Sequence, residues 1–354
     1  MGMFHKALWM WNWKRGKYAA LLFFLSSLYY LSFRYYREAQ LQLAKYYNLK
    51  EKGTFDYHYA FGSNNSSFWL TILIISLACL LIGWERSNQS ITLLMGMPFK
   101  RKDVFLSKWA FGSFCIVCSF LINWVLMYFI YRTTIHFDYQ SFGPFHRYFL
   151  YAIVSYVAVY TAALCIGTFT GGIVSQVVFC IPLLLMGLTF ISLLYNFTIN
   201  SLDITYKKDR HLYVSLFKIN EKTNIVAPIN NFSISYYYNS ERDQETPDSS
   251  LLKGPEFQSY YSAKSMLVPI FYTIFYLLIG TYLYKRSPIE NSQKVFISQK
   301  HLRIWIWIAT IYFALLGSYR LPLFNFLFNQ YTGMCFAGII TYFVLKRLTN
   351  YKVF

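Results

Sequence analysis

Long apolar runs broken by charged passages divide this chain. Eight of the runs are candidate membrane-spanning helices: 17–33, 68–84, 109–131, 148–170, 173–195, 265–284, 304–319 and 324–345. A helix that crosses a hydrocarbon core of about 30 Å needs about 20 mostly apolar residues. The first and seventh runs are short and lean on flanking Trp, Tyr and Arg at the interfaces. The pattern predicts an all-α polytopic transmembrane protein of about eight spans. Residues 1–16 read as an interfacial N-terminal segment and 17–195 as spans one to five, with a polar loop at 85–108. A sizeable extramembrane loop follows at 196–264, then spans six to eight at 265–345 and a tail at 346–354.

Smaller features refine this plan. Phe4, Ala7, Leu8 and Trp11 recur at helical spacing, with Lys6, Asn12 and Lys14 off that stripe, as expected of a helix lying in the interface or of the wet end of the first span. Residues 34–67 read as a polar, Tyr-rich loop, and Thr170-Gly171-Gly172 as a tight turn between spans four and five. Pro182 falls inside the fifth run, where it predicts a kink.

Composition agrees. Only 14% of the 354 residues are charged, against about 25% in soluble domains. None of the 15 acidic residues and none of the six histidines lies in a span, and Lys17 alone of the basic residues touches one. Proton relays need intramembrane carboxylates or histidines, so a proton-driven pump is not expected. The net charge of +18 reads as the positive-inside rule and not as nucleic-acid binding. Basic residues crowd the N-terminus (Lys6, Lys14, Arg15), loop 85–108, residues 285–303 and the tail, which eight spans place on one side, the cytoplasm. Arg34, Arg37, Lys45, Lys50 and Lys52 lie on the opposite side and count against that orientation. A multi-pass plasma-membrane protein with both termini cytoplasmic is the expectation. All six cysteines lie in spans, where free Cys acts as a small apolar residue.

The least generic passage is residues 85–109, ERSNQSITLLMGMPFKRKDVFLSKW. Glu85 and Arg86 close the second span. Ile91, Leu94 and Met95 form one apolar helical stripe, and Gly96 and Pro98 stop the short helix. Asp103 suits the N-terminal dipole of the third span, while Lys100, Arg101 and Lys102 face lipid phosphates or an acidic partner. The predicted shape is helix, short helix, sharp stop, helix: a rigid knob on which a soluble partner can push. No Walker-type phosphate loop occurs in the chain, so nucleotide energy has to come from another subunit.

These residues resemble the ABC-2 type permeases, the membrane subunits of ATP-driven exporters, whose pattern here runs E-R-E-x-G-T-x-E-x-L-L-x-x-P-I-[ST]-R-x-x-I-x-x-x-K. It lies without gaps on Glu85, Arg86, Leu94, Pro98, Arg101, Val104 and Lys108. Ser87 and Thr92 replace acidic residues, Gln89 replaces glycine and Lys100 replaces the Ser/Thr cap. The resemblance covers about residues 1–284. It implies a non-enzymatic permease that binds no cofactor itself and receives the work of ATP and Mg through separate cytoplasmic ABC ATPase subunits. The expected partners are those ATPases, a second copy or a related permease, and membrane lipids, with no nucleic acid. The coupling residues it implies are Glu85, Arg86, Ile91, Leu94, Met95, Pro98, Arg101, Lys102, Asp103 and Lys108.

Candidate substrate-path residues are the polar side chains within spans: Thr71 and Ser76 in the second, and Ser175, Gln176, Thr189 and Ser192 in the fifth. Structural packing is the ordinary role of such residues. Two rival classes remain at this stage. One is a lipid-modifying membrane enzyme, for which His136, Asp138 and His146 are the nearest to a cluster; the other is a sensor or scaffold that binds a ligand through 196–264.

Overall fold

A computed structural model describes residues 5–49, 55–62, 64–88, 90–180, 193–194, 196–198, 201, 211, 215, 225, 227–230, 232–239, 257–259, 263–287, 299–318 and 326–350. The fold is that of a helical polytopic membrane protein. Among the described residues, four helices are long and apolar enough to cross a bilayer: Ser66–Ser87, Arg101–Thr133, Gly143–Phe169 and Ala263–Arg286. They contain the second, third and sixth predicted runs, and all of the fourth but Thr170. The fifth run is described only at residues 173–180 and 193–194, so Pro182, Thr189 and Ser192 lie outside the described residues. The chain groups into two compact units, one of Met1–Leu77, Ser107–Tyr160 and Val226–Thr273, the other of Ala78–Leu106, Thr161–Ile225 and Ile274–Phe354.

In the first unit, helix α1 (Lys6–Ser27) runs through a π-helical turn (Leu28–Phe33) into α2 (Arg34–Leu49). No break separates the N-terminal segment from the first span. Its buried face is Leu8, Asn12, Gly16, Ala19, Ala20, Phe23 and Ser27, which differs from the apolar stripe expected from sequence. Asn12 is inside because its amide donates to Ser107 Oγ (3.2 Å), which offsets the cost of burying it. The π-helical turn has a similar cause. On α6 (Arg101–Thr133), the buried Asn123 donates to Ser27 Oγ (2.9 Å) and accepts from Ser32 Oγ (2.7 Å), so a serine just before the turn and one within it grip one side chain. Such interhelical bonds hold helices together where lipid supplies no hydrophobic drive.

The stretch 34–67 is not the loop expected from sequence. It holds α2, strand β1 (Asp56–Gly62) and the start of α3 (Asn64–Ala78). Tyr35, Ala39 and Gln42 are the buried residues of α2, spaced i, i+4, i+7, a helical period that its high polarity obscured. β1 pairs antiparallel with β2 (Ser233–Asn239), which pairs with β3 (Phe257–Ser259), in the order β1-β2-β3. The strands alternate as a half-buried sheet should: Tyr57, Tyr59, Ile234 and Tyr236 are buried, while Asp56, His58 and Ala60 are exposed.

Beneath this sheet, at the short helix α7 (His136–Tyr139), lies a closed hydrogen-bond ring. Tyr35 OH donates to Gln140 Oε1 (2.9 Å), Gln140 Nε2 donates to the Tyr57 oxygen, and Tyr57 OH meets His136 Nδ1 at 2.6 Å. His136 Nε2 lies 3.2 Å from the Tyr35 carbonyl, which can only accept. The proton therefore sits on Nε2, and Nδ1 accepts from Tyr57. Every member has a partner, and none of the four is exposed. His146 sits apart, accepting from Trp124 Nε1 at 2.8 Å, so the two histidines of the rival enzyme reading serve separate structural bonds.

In the second unit, α10 (Gln299–Gly317) and α11 (Phe326–Asn350) pack backbone to backbone. A Cβ on Gly317 would come within 2.7 Å of Gly333 O, so only glycine allows that approach.

Burial lowers the His136 pKa from 6.5 to about 4. Between these values the unfolded chain takes up the proton and the folded chain does not. Stability therefore falls as pH drops from 6.5 to 4, by about 3 kcal/mol, and His136 adds no slope above or below that window. His136→Phe is expected to melt lower at neutral pH and to lose this part of the acid slope. Melting curves of both proteins at several pH values check it, and parallel slopes would refute the assignment.

Candidate functional site

The passage singled out by sequence folds as an elbow. α3 continues through a second π-helical turn (Cys79–Gly83) into α4 (Trp84–Ser87). Asn88 N–H closes the last turn on Trp84 O (3.0 Å), and Ser90 Oγ reaches back to Glu85 O (3.3 Å). α5 (Ser90–Gly96) follows. Phe99 N–H then donates to Met97 O (2.7 Å), which makes the sharp turn around Pro98. α6 begins at Arg101, where Val104 N–H finds Lys100 O at 3.2 Å and Asp103 lies in the positive first turn.

The elbow has two faces. Ile91 and Leu94 are buried as the stripe predicted, along with Val104 and Phe105. Leu93, by contrast, is 58% exposed, and Thr92, Pro98, Lys100 and Lys102 are exposed beside it in sequence. α5 therefore carries a large apolar side chain outward within a basic stretch. The sequence reading had not selected Leu93; its position between two stripe residues is the signal that marks it as outward-facing.

Two arginines fasten the elbow from within the unit. Arg86 is only 2% exposed. Its Nη1 donates to Thr170 O (2.5 Å) and its Nη2 to Thr168 O (3.1 Å) and Ser287 Oγ (3.0 Å). The two carbonyls lie at the C-terminal end of α8 (Gly143–Phe169), where the last C=O groups of a helix lack intrahelical partners and the dipole is negative. Ser287 directly follows α9 (Leu267–Arg286). Arg101 Nη1 repeats the arrangement on α9, donating to Lys285 O (3.3 Å) and Ser287 O (3.0 Å). A guanidinium is the side chain for this work, because its planar fork presents five donors and never loses its charge. Ser87 Oγ accepts the Ile173 N–H (2.9 Å), which ties α4 to the helical stretch 173–180.

Close backbone approach completes the joint. A Cβ on Gly83 would meet Ile173 Cα at 2.7 Å and Gln176 Oε1 at 2.6 Å, and one on Gly167 would meet Gln176 Nε2 at 2.6 Å. Gln176, fully buried between these glycines, donates to Ala163 O (3.0 Å). Phe105 packs against Tyr284 with ring centroids 5.5 Å apart, and Gly280 leaves room for it.

Residues 10–187 match the family model described as "ABC-2 family transporter protein", which is half of the chain. The chain belongs to the ABC-2 transporter family. The probable ABC transporter permease YtrC of Bacillus subtilis (strain 168) is similar, with 23% identity over 272 residues, 75% of this chain and 71% of that protein. No solved structure matches the chain.

Within this ABC-2 protein the coupling candidates separate by burial. Glu85, Arg86, Ile91 and Leu94 are inside; Pro98 and Lys102 are exposed, and Arg101 and Asp103 are half-buried. Met95 is helical. Lys108, assigned to the loop by sequence, is helical and buried on α6, where its carbonyl accepts from Tyr160 OH (2.8 Å). Of the substrate-path candidates, Ser76 bonds Leu73 O (2.7 Å), Ser175 bonds Gly172 O (2.9 Å), and Thr71 is half-buried on α3.

Arg86→Lys keeps one charge but cannot span three acceptors, and Arg86→Met leaves two helix-end carbonyls bare. The methionine variant is expected to lose at least about 2 kcal/mol. Gly83→Ala is expected to lose about 1–3 kcal/mol through overpacking. Thermal unfolding followed by gel filtration measures both, and wild-type melting in all three variants would show that the joint is not structural.

Proposed function

We propose that this chain is the membrane-spanning permease subunit of an ATP-driven transporter, working as an exporter in the plasma membrane with both termini in the cytoplasm. It pairs with a second copy or a related permease and with cytoplasmic ATPase subunits that bind ATP and Mg. The observation that carries the reading is the two-faced elbow. Its outward face, Leu93 with Pro98, Lys100 and Lys102, offers an apolar anchor and basic side chains to a soluble partner. Its inward face is pinned by Arg86 and Arg101 to the ends of two long apolar helices.

A push on Leu93 cannot be absorbed by a loose loop, because the charged bonds of both arginines resist it. Closure of the ATPases on ATP thus moves α5 as a solid piece, and α8 and α9 move with it. The conformational work comes from the ATPase, and the permease converts it into exposure of a path across the bilayer. Conversion of this kind requires a packed element with two discrete arrangements. Membership of the ABC-2 family supports the same reading.

The division of labour is testable with separate variants. Leu93→Asp places a charge at the contact and should abolish copurification of the ATPase, with the melting temperature of the permease unchanged. Glu85→Gln, inside the elbow, should retain the ATPase but uncouple its hydrolysis from transport, whereas deletion of 91–98 removes Leu93 and should lose the ATPase. Stoichiometric ATPase on Leu93→Asp permease with normal transport would remove the elbow from the mechanism.

A further inference from the structure

A polar cavity of about 300 Å³ lies in the first unit, between α2 and strand β1. One face of α2 lines it with Arg34, Glu38, Gln42 and Lys45, and Tyr30 and Tyr59 add aromatic walls. At about 1.5 Å per residue the four α2 side chains succeed one another over about 16 Å, in the order cation, anion, amide, cation. Gln42 is 4% exposed, and its Nε2 donates to His58 O (2.6 Å). Its Oε1 accepts nothing from the described residues. A buried acceptor left without a donor is costly, so this atom asks for an N–H or O–H from outside the chain.

The same bond narrows the class of ligand. β1 is an edge strand of the sheet, and an edge can recruit an extended peptide. The His58 carbonyl is already taken by Gln42, whose side chain from α2 thereby occupies an acceptor that an added strand would need. A bare anion fits poorly too, since it would meet the Glu38 carboxylate one turn from Arg34. Glu38's ion pair with Arg37 is long (3.8 Å) and solvent-exposed, which leaves the carboxylate available. Arg34 directly follows the first apolar run, at the level where lipid phosphates lie.

We infer that this cavity binds a zwitterionic phosphate–amine group of the phosphoethanolamine kind. The phosphate sits on Arg34, and the ammonium donates to Glu38 and to Gln42 Oε1. Phosphate and amine joined by two carbons match residues one helical turn, about 6 Å, apart. Lys45 closes the far end and turns the ammonium back toward Glu38. The group belongs either to a membrane lipid or to a soluble phosphodiester, and the inference stands independently of the permease reading.

Calorimetric titration of the full chain in detergent with glycerophosphoethanolamine tests it. Saturable binding is expected. Glycerophosphocholine, whose quaternary nitrogen has no N–H, and inorganic phosphate should each bind at least about tenfold more weakly, the equivalent of one charged hydrogen bond. Arg34→Gln and Glu38→Gln, both at solvent-accessible positions and expected to melt as wild type, should lose a similar factor, and Gln42→Leu should erase the preference for the primary amine. The source is read by repeating the titration in nanodiscs. If phosphatidylethanolamine discs abolish binding while phosphatidylcholine discs preserve it, the occupant is a lipid; binding preserved in both marks a soluble ligand. Equal affinity for inorganic phosphate, unchanged affinity in the variants, or no binding of any probe in detergent would overturn the inference.

Discussion

A guanidinium held almost completely out of water is the interaction on which the candidate site depends. Arg86 is tolerable where it lies because two helix-end carbonyls and a serine hydroxyl take the place of its hydration. The benefit is reciprocal. The end of α8 would otherwise present unpaired C=O groups in a region where water is scarce, and each such group costs several kcal/mol. One side chain settles both debts at the same place, so the elbow and the helix end it caps form a single mechanical piece. Arg101 extends the arrangement to α9.

The rule recurs at several other buried polar side chains of this protein. Asn123 sits on α6 with its amide committed to Ser27 at the end of α1 and to Ser32 within the π-helical turn that follows. Asn12 meets Ser107, and Gln176 lies in a slot opened by two glycines. Under the sheet, Tyr35, Gln140, Tyr57 and His136 hand one another their protons in a ring. Each of these side chains bonds a specific partner in another element, which fixes the register of one helix on another. Apolar packing alone would tolerate sliding. The Gln42 carbonyl oxygen is left without a partner among the described residues, as the Gln176 carbonyl oxygen is too, and Gln42 differs in lining a polar cavity.

The family membership and the helical membrane fold were legible because both rest on local patterns. Apolar runs of about 20 residues leave few alternatives to a helix in lipid, and the gap-free pattern from Glu85 to Lys108 lies within one short segment. The stripe Ile91–Leu94 likewise predicted the inner face of α5. Misjudged segments were those in which polarity masked periodicity. α2 buries Tyr35, Ala39 and Gln42 at helical spacing yet is charged on its other faces, and β1 is too short and polar to stand out. Lys108 seemed a loop residue because it is charged, whereas it lies buried on α6.

By itself, then, the sequence determined the helical membrane fold, four of its long apolar helices, where the elbow lies and that Ile91 and Leu94 turn inward, since these follow from the local spacing of apolar, small and charged side chains. Tertiary structure alone decided what each buried polar group meets. Arg86 and Thr170 are 84 positions apart and Asn123 and Ser32 are 91 apart, and no spacing rule connects residues at such separations. Their pairing comes from the need of every buried donor to find an acceptor once the helices have packed.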